Sequence, residues 1–488
     1  MPTVAAIDLG ATSGRVLVGR YEDGRLDITE TSRFAHGPVA VPTAGGSDLV
    51  WDLPALWSGI VRGLAAAGPL DSVGVDTWAV DYGRLDGAGR LLALPQSYRS
   101  PRTADLPADP RLPTGDDLFR LNGLAQHPFT TCYQLLADLD EHRSGPVDGM
   151  ALLPDLIGWW LSGTRVCEVT NASTTGLLDP RTRDWQPDVC AALAAQGIDV
   201  TSLFGPLVEP GHVLGPARGD VVDWEGAPPQ VVAVGSHDTA SAVAAIPAAT
   251  SPIAYVSSGT WSLVGLELTE PVCTPEARAA GFTNELGVDG TVRFLRNVMG
   301  MWVQSQCLEQ WRREGADVPG WDVLDPLTAQ VAPRQHLMDI GDDAFFAPGD
   351  MPARVDAACE AAGFPAPQSI AEYMRCIDDS LALAYRRALA QAREVTGITP
   401  SALHIVGGGS KNAILCQAAA DATGLPVVAG PTECTALGNM GVQLQALGAI
   451  PPGLAALRTL VANNQPTTTY TPNETEVAAW DAVDHKLM

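Results

Sequence analysis

Two stretches about 250 residues apart share one form, and no other feature limits the possible folds of this chain as much. Val4 to Leu9 is apolar apart from Asp8, Gly10-Ala-Thr-Ser-Gly14 is a turn, and Arg15 to Tyr21 alternates back as a second strand. Ile253 to Ser258, Gly259-Thr260 and Ser262 to Glu267 repeat strand, small-residue turn, strand. Loops dense in small and hydroxyl residues turn backbone N–H groups outward and can nest a phosphate. A single such loop reads equally well as an ordinary hairpin turn. A matched pair predicts two related domains facing each other, each directing its loop at one phosphate chain. A length of 488 residues allows that arrangement. Neither loop carries G-x-x-x-x-G-K-[ST], so neither is a P-loop.

Between the echoes, Val231 to Ala245 reads as a buried strand, a break at Gly235 and an Ala-rich helix. Ser236, His237, Asp238 and Thr239 then fall where a strand hands over to a helix, the edge at which open α/β sheets bind ligands. A carboxylate there can act as general base on a bound alcohol, or Asp238 can serve only as a helix N-cap. Asp76-Thr-Trp-Ala-Val-Asp-Tyr82 follows a strand over Ser72 to Asp76 and suits a polyol pocket, the ring covering an apolar face; the plainer reading is a surface turn. Gly407-Gly-Gly409 after the strand at Leu403 admits a ribose or adenine, or is a tight strand–helix turn. Thr291 to Leu295 is a strand followed by Asn297, and Ser369 to Thr396 is a core helix without chemistry. The tail, Pro466 to Asp484, ends in a helix able to return to the first domain.

Composition excludes several classes. The formal charge of −26 leaves no basic footprint for nucleic acid or an anionic membrane. There are two lysines, Lys411 and Lys486, so a central catalytic lysine has almost nowhere to sit. Nine cysteines without a C-x-x-C pair fit a reducing compartment, with Cys359 and Cys376 the pair able to meet. A basic n-region and a membrane-length apolar run are both absent, so the chain is expected in the cytoplasm, where the Asn171-Ala-Ser173 sequon goes unused.

Seven blocks in order resemble the FGGY family of carbohydrate kinases: Asp8-Leu-Gly-Ala-Thr-Ser-Gly-Arg15, Asp76 to Tyr82, Tyr98-Arg-Ser-Pro-Arg-Thr103, Gly235 to Val243, Ser257-Ser-Gly-Thr-Trp-Ser262, Asn297-Val-Met-Gly-Met-Trp302 and His404-Ile-Val-Gly-Gly-Gly409. The resemblance implies an α/β fold of duplicated actin/hexokinase-like (ribonuclease H-like) ATPase domains with a cleft between them. Residues 1–246 would carry most of the sugar site and the base, and residues 247–488 most of the nucleotide site. It implies that Asp238 is the general base, that Ala79, His237, Thr239 and Asn297 line the sugar, and that Ala11, Thr12, Ser13, Gly14, Arg15, Thr260 and Gly408 hold ATP. Asp8 resembles the acid that holds Mg2+ through water. Asp76-Thr-Trp78 and Ser236-His-Asp-Thr239 set the chain apart from xylulose and glycerol kinases and point to phosphorylation of L-rhamnulose at O1, in a monomer or homodimer. L-Fuculose or another ketose is the near alternative; an actin-like ATPase or chaperone module is the alternative of another class. Two departures stand out: Ala79 replaces the usual Gly of the sugar loop, and Ser305 stands where a nucleotide-contacting Gln is usual. Phosphoryl transfer demands that water be kept out, which implies closure on sugar binding.

Overall fold

The alternating segments at the N-terminus form strands Thr3–Leu9, Ser13–Glu22 and Arg25–Ala35 in a computed structural model that describes residues 1–141, 143, 147–248, 252–346 and 349–487. The chain divides into two compact units. The first comprises Met1–Ala249, Leu268–Phe294 and Cys434–Asn464; the second comprises Thr250–Glu267, Leu295–Glu433 and Gln465–Met488.

In the first unit, Thr3–Leu9 and Ser13–Glu22 form an antiparallel hairpin. Thr3–Leu9 also runs parallel to Ser72–Thr77, which runs parallel to Gln230–Val232. The last of these pairs antiparallel with Val213–Pro216. Ala5, Ile7, Leu9, Val73, Val75 and Val231 bury one sheet face beneath the helices Leu53–Ala65 and Leu153–Ser162. Each fully buried branched side chain contributes about 1.5–3 kcal/mol by leaving water. The first helix begins at a true cap: Asp52 accepts the Ala55 N–H at 3.1 Å.

The second unit repeats the plan. Ile253–Ser258 and Trp261–Leu268 are the antiparallel hairpin, Ile253–Ser258 runs parallel to Leu403–Val406, and that strand runs parallel to Val427–Ala429. Thr468–Tyr470 closes the edge antiparallel. The sheet orders are therefore the same, position for position, across these five strands. This is the duplicated actin/hexokinase-like architecture. The core helix is Ile370–Thr396, with Ser369 capping it through Glu372 N–H.

Two expectations change. The strand expected to end at Leu295 runs on as Val292–Met299, so Asn297 lies inside it. The tail helix Glu474–Leu487 stays in the second unit, where Asp484 pairs with Arg386 at 2.9 Å and Arg387 at 2.7 Å. The segment that joins the first unit is Cys434–Asn464, whose Asn464 donates to Gly24 O and accepts from Leu26 N–H at the turn between Ser13–Glu22 and Arg25–Ala35. Cys359 and Cys376 do meet, as buried free thiols with Sγ atoms 3.4 Å apart.

Candidate functional site

In the first unit three loops leave the same sheet edge and are tied together by backbone bonds. Trp78 N–H donates to Leu9 O at 3.2 Å and Thr77 N–H to Ser236 O at 2.9 Å. The loops following Leu9, Thr77 and Val232 therefore lie side by side. Ala11, Thr12, Ser13 and Gly14 form the first, Ala79 sits half-buried in the second, and His237, Asp238 and Thr239 open the third.

The first loop is charged at its root. Register pairs Asp8 with Arg15 across the hairpin, and their side chains form an ion pair. Register also pairs Asp8 with Asp76 on the neighbouring parallel strand. Asp76 is fully buried. Burial, and after it the nearby Asp8 charge, pushes its carboxyl well above the usual range, against a bond from Asn439; Asp238 adds to the rise. Asn439 Nδ2 donates to Asp76 Oδ2 at 2.6 Å, and Gln443 supports Asn439 at 2.6 Å and reaches Ser72 at 2.7 Å. Asp76 Oδ1 is buried without a partner.

The second loop is strained. Val80 has φ +69°, a conformation costly for a β-branched side chain. Thr131 Oγ1 holds its carbonyl at 2.6 Å. Asp81 gathers N–H groups from Trp51 at 2.6 Å, Trp78 at 3.1 Å, Gln134 at 3.0 Å and the Tyr98 backbone at 3.2 Å. Burial still pushes its carboxyl up to about 6. Asp81 thereby fixes an aromatic wall, with the Trp51 and Trp78 rings 4.1 Å apart and His36 5.3 Å from Trp78.

The third loop hangs from Glu168. That buried carboxylate accepts from Ser236 N–H at 3.0 Å, Ser236 Oγ at 2.6 Å, Thr170 N–H at 2.9 Å and Thr170 Oγ1 at 2.6 Å. The helix Asp238–Ala244 has His237, not Asp238 or Thr239, as its N-cap residue. Asp238 is the first helical residue; its Oδ1 accepts Thr239 N–H at 2.6 Å and Thr239 Oγ1 at 3.1 Å, and Oδ2 takes part in neither bond. Its side chain is 29% exposed, against 7% for Asp8.

The hairpin turn of the second unit, Gly259-Thr260, carries no acid. Met301 N–H donates to Gly259 O at 2.9 Å and Trp302 N–H to Thr260 O at 3.3 Å, so Thr260 sits in a loop braced by the start of the helix Trp302–Arg313. Gly407, at φ +81°, lies so close that a Cβ there would stand 2.8 Å from Ser258 O. Gly408 opens the short turn that follows. Gln304 is buried and donates to Asp378 at 2.7 Å, while Ser305 is exposed, so Gln304 faces inward rather than replacing the missing Gln. Asn412 also donates to Asp378, at 2.9 Å, and burial pushes Asp378 up to about 7.

A metal fits the first unit through oxygen donors. The charges of Asp8 and Asp238 both act on Asp76, and one Asp76 oxygen lacks a partner. Among the described residues no group of three or more His, Cys, Asp or Glu is spaced to cage an ion. Magnesium keeps most of its waters and takes one or two carboxylates, a donor set that Asp8 and Asp76 could supply.

The loops Gly10–Gly14 and Gly259–Ser262 each sit at the turn of a duplicated hairpin, as the echo predicted. Glu168, Asn439, Gln443, Glu285 and Arg293 were missed. The sequon Asn171-Ala-Ser173 was visible, but nothing in it singled out Glu168 three residues earlier.

Sequence comparison matches residues 3–245 to the N-terminal domain, and residues 254–447 to the C-terminal domain, of the FGGY family of carbohydrate kinases. A rhamnulokinase from Bacteroides thetaiotaomicron is 37% identical over 487 residues, 98% of this chain and 97% of the relative. Among solved structures, a glycerol kinase from Plasmodium falciparum, bound to ADP, superposes with a TM-score of 0.77 at 14% identity, over 100% of this chain and 97% of that one. A ligand-bound xylulose kinase from Lactobacillus acidophilus gives 0.76 at 15% identity, over 99% and 96%. No helix among the described residues is long and apolar enough to cross a membrane.

Proposed function

The chain belongs to the FGGY family of carbohydrate kinases, and on that premise we propose that it transfers the γ-phosphoryl group of ATP to O1 of L-rhamnulose, with Asp238 as general base. The substrate rests on the likeness to rhamnulokinase, which extends over nearly the whole chain. The base rests on one observation: of the acids Asp8, Asp76 and Asp238, Asp238 has the most exposed carboxylate. A base must reach the hydroxyl it deprotonates.

In this reading the first unit carries most of the sugar side, Asn297 being the exception. Asp238 takes the hydroxyl proton as the oxygen bonds to the γ-phosphorus, and the bond from that phosphorus to the leaving oxygen of ADP breaks in line. His237, Thr239, Asn297 and Ala79 hold the sugar, against the Trp51–Trp78 wall. Gly10–Arg15 and, from the second unit, Thr260 and Gly408 hold the nucleotide. Asp8 would hold Mg2+ through water; when bound, the ion neutralises charge on phosphate oxygens. Ala79 adds a methyl where the family usually has none, so the choice between L-rhamnulose and L-fuculose falls to that loop. The enzyme would work in the cytoplasm as a monomer or homodimer.

A coupled ADP-release assay across ketoses, aldoses and glycerol tests the substrate; fastest turnover on a sugar other than L-rhamnulose overturns it. Asp238→Asn should lower kcat by about 10²–10⁴-fold, the usual worth of a positioned base, with ATP affinity retained. Near-normal turnover by that variant removes Asp238 from the role.

A further inference from the structure

We infer that Arg293 and Glu285 are positioning residues that lock the His237 ring with its proton on Nε2, on the side of Asp238. The inference rests on the reading of Asp238 and His237 given above, but it starts from separate geometry. Arg293 is fully buried. Its Nε and Nη2 both donate to Leu286 O at 3.2 Å, which fixes the plane of the guanidinium. Nη2 then lies 3.0 Å from His237 Nδ1. A guanidinium has only donors, so Nδ1 must offer its lone pair and the ring proton belongs on Nε2. Nε2 is 3.4 Å from Asp238 Oδ1, too long for a strong bond. The N–H is therefore left to donate to a substrate oxygen beside the base.

Glu285 completes the arrangement. Its Oε2 is 3.0 Å from Arg293 Nη1 and 3.3 Å from His237 Nδ1. Burial alone would raise its carboxyl, but the neighbouring Arg293 guanidinium holds it below the ordinary value. A buried anion beside a buried guanidinium offsets a charge that would be costly alone. The charged and titratable groups around the ring are thus Asp238 on its own helix, Glu285 and Arg293 on the two strands Thr283–Leu286 and Val292–Met299, and His127, which acts on Glu285. The His237 backbone N–H is held separately by Thr170 Oγ1 at 3.3 Å. Without Arg293, Glu285 is the group facing Nδ1, and a carboxylate there demands the opposite tautomer.

The test reads the tautomer directly. In full-length protein with ¹⁵N-labelled histidine, at a pH where the ring is neutral, His237 should carry its proton on Nε2; an Nδ1 proton overturns the inference whatever the enzyme's substrate. Arg293→Met should move the proton to Nδ1 and lower kcat by about tenfold, the worth of one hydrogen bond, with a smaller change in sugar KM. Adding Glu285→Gln to that variant supplies an amide N–H toward Nδ1, and should return the proton to Nε2 and recover much of the lost kcat. A loss that the second substitution deepens marks Arg293 as merely structural. Should Arg293→Met fail to fold, Arg293→Lys keeps a donor and should keep the Nε2 tautomer; an Nδ1 proton there also overturns the inference. Asp238→Asn reports on the base independently, so the two readings fail separately.

Discussion

The hairpins that begin the two sheets share a backbone plan and differ in what stands at each position. In both, the first strand pairs back antiparallel with the second and runs parallel to a third. Across the first hairpin Asp8 faces Arg15, and beside it lies Asp76. At the matching places of the second stand Ser257, Leu263 and Val406. After the third strand the first unit continues into Trp78 and a strained Val80, the second into three glycines. One backbone plan thus carries two sets of side chains. The first edge concentrates charge and buried aromatic rings, as the proposed metal and polyol side requires; the second offers bare backbone, as the proposed nucleotide side requires.

The largest expected effect on that contrast comes at its charged end. Asp8→Ala should lower kcat by about 10²–10³-fold, as the loss of a preorganised electrostatic group does, whereas Thr260→Ala in the neutral hairpin should act mainly through the KM for ATP. Equal kcat losses would mean that the two loops do the same work. Steady-state kinetics with both substrates varied decides it.

The next effect concerns space. A Cβ at Gly14 would meet the Phe34 ring at 2.5 Å, a side chain that can be trimmed. A Cβ at Gly407 would meet a carbonyl at 2.8 Å and sit at φ +81°. Gly407→Ala should therefore cost about 1–3 kcal/mol in urea unfolding, unrelieved by any change at Ser258. Gly14→Ala should cost less in a Phe34→Leu background than alone.

The smallest effect is a pH slope. Asp378 is raised to about 7 by burial, above its unfolded value of 3.8. The folded state therefore holds its proton where the unfolded state has lost it, and stability falls as pH rises from about 4 to about 7. Asp378→Asn removes that term. The wild type should lose melting temperature relative to the variant between pH 5 and 8, on the order of a few degrees. A constant difference across that range would show that Asp378 stays ionised when folded.

Much of this was legible from local pattern. Period-two alternation and small-residue turns marked both hairpins, and an apolar run broken at Gly235 marked the loop that carries Asp238. Capping was less legible: Asp238 looked like a cap, yet the chain turns one residue earlier at His237. Backbone geometry at a helix start depends on how the preceding strand leaves the sheet, and side-chain preference alone does not report it.

Sequence alone determined the two small-residue hairpins and the strand-to-helix break at Gly235 beside Asp238, because each follows from spacing within a dozen residues or so. Only the tertiary structure decided which buried groups hold those loops: Glu168 under Ser236, Asn439 against Asp76, Arg293 and Glu285 behind His237. Their partners lie tens to hundreds of residues away, and a buried polar group is chosen by the donor or acceptor it must satisfy there. That demand leaves no period in the chain, so folding has to reveal it.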